Sequence, residues 1–238
     1  WYERAILRHT FRHAAHVTAV SGNLLDNIVL TVSAAASRPS TVVSNVVDPR
    51  LFSLKGQRPQ DGKKRILHVS TIENKAKNIM GILRAIRQVA AQRTDFELNI
   101  VHDYPNGEAE QFVRDNGLSD IVRFLGQKKP ADVAALLHQT DFFLLFSNYE
   151  NQPCVLLEAF CTGTPAITTP VGGITEIADA GNAVLIPPGD EAQLVDKVNF
   201  MLDNSGEYNP MKIRDRVVKS SSPDVVGEKW MNIYRSLL

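Results

Sequence analysis

Residues 147–165 read SNYENQPCVLLEAFCTGTP, and the way this stretch divides decides the fold. Before it runs DFFLLF, residues 141–146, apolar enough for a strand buried inside a sheet. A polar turn follows with Glu150, Asn151 and Gln152, and then Pro153. Beyond Pro153 the spacing of Val155, Leu156, Ala159 and Phe160 is helical. Proline suits a first helical turn, where its missing N–H would have no partner anyway. Gly163 suits the C-terminal cap and Pro165 stops the helix just beyond it. The unit is therefore strand, turn, helix, stop.

Two glutamates stand in this unit. Glu150 falls at the carboxyl end of the predicted strand, and Glu158 about two turns into the predicted helix. Open α/β sheets bind ligands in the crevice outside the carboxyl ends of their strands. Unpaired N–H groups at a helix start favour an anion there. Acceptors on either side of an anion site suit a ligand with hydroxyls at both ends and phosphate in the middle. A nucleotide-sugar has that layout.

Outward from this unit, strands and helices alternate. Residues 17–20, 66–69, 98–101, 121–125, 166–168 and 183–186 read as strands, with an extended segment at 41–43. Residues 1–13, 21–30, 78–92, 108–116, 130–137, 190–202 and 225–238 read as helices. Ser21 is placed to cap the second of these, and Asp190 with Gln193 has the pattern of a capping box. Residues 55–64, KGQRPQDGKK, have the composition of a linker or exposed loop. Alternation of this kind argues for a parallel, doubly wound sheet.

Composition narrows the function. Lysine plus arginine and aspartate plus glutamate balance at 26 each, so nothing supports a nucleic-acid partner. No apolar run approaches the ~20 residues of a membrane helix, and no signal peptide is evident. Cys154 and Cys161 are too few for a disulfide framework and are expected as reduced core thiols in a cytoplasmic protein. The chain starts at Trp1 inside a helical pattern and is read as a fragment or a trimmed piece. His9, His13 and His16 recur at helical spacing, but no carboxylate or cysteine joins them at ligand spacing, so no metal is expected. His68, His102 and His138 are scattered, and none is assigned as a base. Gly172-Gly173 is no dinucleotide fingerprint; the pair turns the backbone sharply near a ligand, or merely turns. Glu176 reads as a helix-start acid. Lys75 and Lys77 fall just before or at the start of a predicted helix, where cations are disfavoured. Either Glu73 compensates them in a solvated loop, or a bound diphosphate does.

Taken in order, Glu150-Asn151-Gln152-Pro153 and Glu158-Ala159, with Ser147 before them and Gly163-Thr164-Pro165, Val171-Gly172-Gly173 and Glu176 after, resemble a known motif. It is the paired-glutamate motif of retaining glycosyltransferases of the family 4 type. The resemblance covers most of residues 41–238. It implies the GT-B fold: α/β, a Rossmann-like doubly wound parallel sheet forming the C-terminal half, with a partial second α/β domain. Ser44-Asn45-Val46-Val47-Asp48-Pro49 resembles the family's inter-domain connection, with Ser44 and Val46 in place of its usual proline and glycine. The implied division is a truncated tail of the N-terminal, acceptor-side domain at 1–52, a linker at 53–64, and the donor-binding domain with a C-terminal helix at 65–238.

The resemblance also implies roles. Lys77, followed by Asn78 and Gly81, matches the family's lysine that contacts donor phosphate. Glu150 matches the glutamate on the donor sugar, and Glu158 the one on the nucleotide ribose. Asn151, Gln152, Pro153, Cys154 and Val155 form the donor turn, offering backbone amides except at Pro153. The family usually carries an arginine near Thr71, where this chain has Ser70-Thr71-Ile72; Arg65 is a candidate substitute. His102-Asp103-Tyr104-Pro105 replaces a glycine-rich turn common in the family. The implied reaction moves a sugar from a UDP-, GDP- or other nucleoside-diphosphate sugar to a hydroxyl of a glycan or lipid-linked acceptor. It proceeds with retention by front-face attack, with Glu150 and Lys77 as the catalytic pair and with neither cofactor nor metal. Peripheral membrane contact would come through residues outside this chain. Alone, these residues are expected to bind donor weakly and turn over little or nothing. Two rivals are a GT-B nucleotide-sugar epimerase and a non-catalytic nucleotide-sugar-binding or interaction domain, the second favoured by Thr71.

Overall fold

The structure, a computed structural model, describes residues 2–56 and 62–238. The first part holds α1 (Tyr2–His13), β1 (Val17–Ala19), α2 (Gly22–Thr31) and β2 (Ser40–Val42), with β1 and β2 paired in parallel. The second begins with β3 (Lys64–Val69), α3 (Asn74–Lys77), α4 (Ile79–Ala90), β4 (Phe96–Val101), α5 (Gly107–Asp115) and β5 (Val122–Gly126). It continues through α6 (Pro130–His138), β6 (Phe142–Leu145), α7 (Cys154–Cys161), β7 (Ala166–Thr168), α8 (Ile174–Ile177) and β8 (Ala183–Leu185). Helices α9 (Glu191–Asn204), α10 (Pro210–Ser221) and α11 (Pro223–Ser236) close the chain. The polar stretch expected as a linker over 53–64 lies partly, at 57–61, outside the described residues.

Six strands form one all-parallel sheet in the order β5-β4-β3-β6-β7-β8. The winding starts at β3, runs outward through β4 to β5, then returns to β6 on the other side of β3. Reversal of strand order opens a crevice at the carboxyl ends of β3 and β6, the position where such sheets take their ligands. Both faces of the sheet are covered, which explains the unbroken apolar run of β6. Phe142, Leu144 and Phe146 pack with α4 and α9 on one side. Phe143 and Leu145 pack with α6, α7 and α10 on the other.

Helix α7 ends as its sequence demands. Gly163 takes φ +78, and the N–H groups of Gly163 and Thr164 close onto Phe160 O and Ala159 O. Two expectations need correction. Helix α10 lies in a stretch that periodicity alone passed over, although Asn209 caps it and Pro210 occupies its first turn. The Asp190–Gln193 pair is only half a capping box. Asp190 Oδ1 accepts the Gln193 N–H at 2.9 Å, but the Gln193 side chain turns to Asp190 Oδ2 rather than to the backbone. Lys75 and Lys77 sit in the last turn of the four-residue α3, and Lys77 stands just before Asn78, the N-cap of α4. Cations are favoured at the end of α3 but disfavoured just before α4, so the expected conflict with the helix dipole holds for Lys77 at α4.

Candidate functional site

The loop after β3 is pinned from beneath. His68 is fully buried, and burial holds its ring at a pKa of about 4, so it is neutral. Its Nδ1 lies 2.8 Å from Leu144 O, which can only accept, so Nδ1 carries the proton. Nε2 then accepts from Ser70 Oγ at 2.6 Å, and Ser70 Oγ accepts the N–H of Ile72 at 2.9 Å. Ile72 has φ +46, rare for a β-branched residue. Its buried side chain and a bond from Asn106 Nδ2 to its carbonyl hold it there. Asn78 follows at φ +50, ending α3 and capping α4 through Gly81 N.

This backbone delivers Lys77 to the loop after β6. Lys77 Nζ meets Glu150 Oε1 at 2.6 Å, and the same oxygen accepts from Ser147 Oγ at 2.8 Å. The two loops are also joined by their backbones, since Asn148 N donates to Ala76 O at 2.8 Å. Glu150 is only 7% exposed, and its Oε2 has no partner among the described residues. Lys77, Glu150, Asn151 and Gln152 line a cleft of about 490 Å³ whose opposite wall is Val20, Leu24 and Asn45.

Residues of the first part hold the turn in place. Gln152 Oε1 accepts from Asn45 N at 2.7 Å and from Ser44 Oγ at 2.9 Å, and Asn45 Nδ2 donates to Gln152 O at 2.8 Å. Ser221 Oγ, at the end of α10, lies 2.8 Å from Ser44 Oγ. Behind the turn, Gly172 has φ +56, and a Cβ there would stand 1.7 Å from Glu150 O. Gly173 N donates to Asn151 O at 2.6 Å. The glycine pair thus serves a close approach of backbones. Glu176 stands in the first turn of α8, as expected, and its carboxylate also accepts the N–H groups of Gly22 and Asn23, both at 3.0 Å, at the start of α2.

Glu158 departs from expectation. Helix α7 begins at Cys154, so Glu158 lies about one turn in, not two. It does not line the cleft. It is partly buried with no partner among the described residues, and burial pushes its carboxyl up to about 7. Burial first, then the charges of Glu158 and Glu150, also raise the Cys154 thiol, so both carboxylates act on one spot at the start of α7. Cys154 is exposed and Cys161 buried, so only Cys161 is a core thiol. Two residues seven apart on one helix, about 10 Å along its axis, cannot be bridged.

The family described as Glycosyl transferases group 1 matches residues 63–204. The chain belongs to the group 1 glycosyltransferases. N-acetyl-alpha-D-glucosaminyl L-malate synthase of Bacillus anthracis is 27% identical over 98% of this chain and 62% of its own length. An MMP alpha-(1->4)-mannosyltransferase of Mycolicibacterium hassiacum is 27% identical over 88% of this chain and 51% of its own. The chain thus spans half to two thirds of these relatives. Among solved structures, sucrose-phosphate synthase from Thermosynechococcus elongatus superposes with a TM-score of 0.83 at 21% identity, covering 99% of this chain and 60% of that one. HepE of Anabaena, solved with UDP and glucose, gives 0.84 at 20%, covering 98% and 66%. These likenesses establish the GT-B fold.

Within this glycosyltransferase fold, the expected residues fall into two groups. Lys77, Glu150, Asn151 and Gln152 meet at the cleft. Pro153 is buried as the cap of α7, and the Val155 side chain packs toward the core beneath the sheet. Thr71 is exposed on the loop after β3 and does not line the cleft. Arg65 cannot replace the arginine expected near it. Arg65 lies at the amino end of β3, the far end of the sheet, and pairs there with Glu97 at 3.1 Å. Nor does Glu73 balance Lys77, whose ammonium goes to Glu150. Sequence reasoning gave no part to Ser221 or Asn106, and it named Ser147 only as a flank of the motif. Ser44 and Asn45 carried a signal only as part of the connection at 44–49. Among the described residues no group of three or more His, Cys, Asp or Glu could hold a metal ion, and no helix is long and apolar enough to cross a membrane.

Proposed function

We propose that this chain binds a nucleoside-diphosphate sugar in the cleft between Lys77, Glu150 and the 44–45 segment. There it serves transfer of the sugar to an acceptor hydroxyl with retention of configuration. One observation carries the reading: Lys77 and Glu150, from the loops after β3 and β6, pair at 2.6 Å where the strand order reverses. Lys77 stabilises the charge that develops on the leaving diphosphate. The unpaired N–H groups of Cys154 and Val155 at the start of α7 add to it, since the bonds to Pro153 O begin only at Leu156. Glu150 orients the sugar, and Glu158 takes the ribose hydroxyls. Residues 65–238 supply donor binding, 1–52 line the acceptor side, and 53–64 link them. The acceptor is a glycan or lipid-linked hydroxyl, and the two free thiols suit a reducing cytoplasm. The exposed Thr71, with no arginine at the cleft, favours a second reading in which the site binds donor without turnover.

Calorimetry with UDP-glucose, UDP-N-acetylglucosamine, GDP-mannose, UDP and GDP tests the first reading. Wild type is expected to bind at least one donor and its free nucleotide. Glu150→Gln is expected to lower affinity for the donor by about tenfold more than for the nucleotide. No heat with any donor from folded protein, or equal affinities in the variant, would refute it. Sugar transfer assayed against an acceptor panel separates the second reading from the first.

A further inference from the structure

Gln152 is 6% exposed, lines the cleft, and is oriented by groups that leave it no choice. The N–H of Asn45 can only donate, so the atom 2.7 Å from it must be the carboxamide oxygen. Ser44 Oγ, itself 2.8 Å from Ser221 Oγ, donates to that same oxygen. The other end of the planar amide, Nε2, points away from residues 44 and 45 and has no partner among the described residues. Two residues earlier, Glu150 Oε2 is equally unengaged. A donor with two hydrogens and an acceptor with free lone pairs therefore face one cleft with fixed polarity. Neither atom is sealed from solvent, so both are open to a ligand entering the cleft. A ligand hydroxyl satisfies both kinds, accepting through its oxygen and donating its proton.

We propose that Gln152 is a specificity-determining residue: its Nε2 donates to a hydroxyl of the bound sugar whose neighbouring hydroxyls donate to Glu150, with Ser44 and Asn45 holding the amide in register. The proposal rests on the nucleotide-sugar reading above and adds to it a side-chain donor set by the 44–45 segment. It also predicts that sugars lacking one hydroxyl, or presenting it on the other face, are distinguished at this residue.

The test is calorimetry on the full chain with UDP-glucose, UDP-galactose, UDP-N-acetylglucosamine, GDP-mannose, UDP and GDP, comparing wild type with Gln152→Glu and Gln152→Met. Glu keeps the oxygen facing Asn45 and replaces the donor by an acceptor. Met keeps the shape and removes both. Each variant is expected to lose about ten- to a hundredfold affinity for the preferred sugar nucleotide, to keep its affinity for the free nucleotide within about threefold, and to discriminate less among sugars. Thermal unfolding identifies folded variants, and either variant alone suffices. An equal loss for nucleotide and sugar nucleotide would show that Gln152 only props the turn and would overturn the proposal. Unchanged affinities would overturn it too. Absence of binding by the wild type would instead refute the nucleotide-sugar reading itself.

Discussion

Two titratable groups, His68 buried and Glu158 partly buried, pull stability in opposite directions over the same pH range, and Glu158→Gln should expose the balance. His68 has its pKa lowered from 6.5 to about 4 by burial. Its stabilising contribution is whole above the unfolded value and is lost as pH falls toward the folded one. Glu158 has its pKa raised from 4.5 to about 7, also by burial. Its contribution is whole below its unfolded value and is lost as pH rises through the folded one. At about 1.4 kcal/mol per pH unit, each displacement amounts to about 3 kcal/mol. Between roughly pH 4.5 and 6.5 acidification therefore weakens the fold through His68 and strengthens it through Glu158 by similar amounts. Wild type should show a nearly flat profile there. Urea denaturation from pH 4.5 to 7.5 measures it. Glu158→Gln removes the compensating carboxyl without adding charge, so its stability should fall by about 2–3 kcal/mol on going from pH 7 to 4.5. His68→Asn, whose amide can still donate to Leu144 O, should show the opposite slope. A Glu158→Gln profile as flat as the wild type's would refute the burial of one or both groups.

Two further substitutions probe the supports of the turn. Gly172→Ala would place a Cβ 1.7 Å from Glu150 O at φ +56. It should cost well over the ~1–2 kcal/mol of the left-handed backbone alone and abolish donor binding, whereas Gly189→Ala, at φ +78 with open space around it, should pay only the backbone term and leave binding intact; thermal unfolding and calorimetry compare them. Arg214 donates to the carbonyls of Pro49, Phe52 and Cys161, tying the segment after β2 to the end of α7. Arg214→Met strands those acceptors and should cost about 2–4 kcal/mol in urea denaturation.

Much of the fold was legible because short-range patterns dictate it. The run at 141–146 sits between two covered faces, so it shows no alternation, and its length marked it as a strand. Helix α7 announced itself through its apolar spacing, Pro153 and Gly163. Helix α10 escaped because only Ile213, Val217 and Ser221 are buried on it, amid charged residues; the Asn209-Pro210 start was its one clear sign. Helix α3 has four residues, too short for any period to show. The candidate residues were legible as a motif, but their partners were not. Lys77 and Glu150 are 73 positions apart, Asn45 and Gln152 are 107, and Gly22 and Glu176 are 154. Such pairs arise from how the sheet winds and how the first 52 residues lie against it, which no local window contains. For the same reason the sequence shows Glu176 as an acid at the start of its own helix but not its bonds to the start of α2.

These long-range pairs make the turn at 150–152 a rigid object that a ligand must rearrange electrically rather than sterically. Its backbone is fixed from behind by the glycine pair, from the side by residues 44 and 45, and from the front by the α3 loop. What remains exchangeable is the ion pair. Lys77 rests on Glu150 Oε1, and the pair is charge-neutral and largely shielded from water. On the proposed reading a diphosphate offers Lys77 a stronger, doubly charged partner. As the ammonium shifts toward it, Glu150 Oε1 regains an open lone pair beside the unengaged Oε2. The carboxylate then becomes a full acceptor for sugar hydroxyls only when phosphate is present. Nucleotide and sugar would thus be read in order by one shared charge, with Ser147 holding the carboxylate in place throughout. A free sugar, lacking phosphate, would meet a carboxylate with Oε1 already occupied and only Oε2 open, so the site should bind it more weakly without any steric barrier.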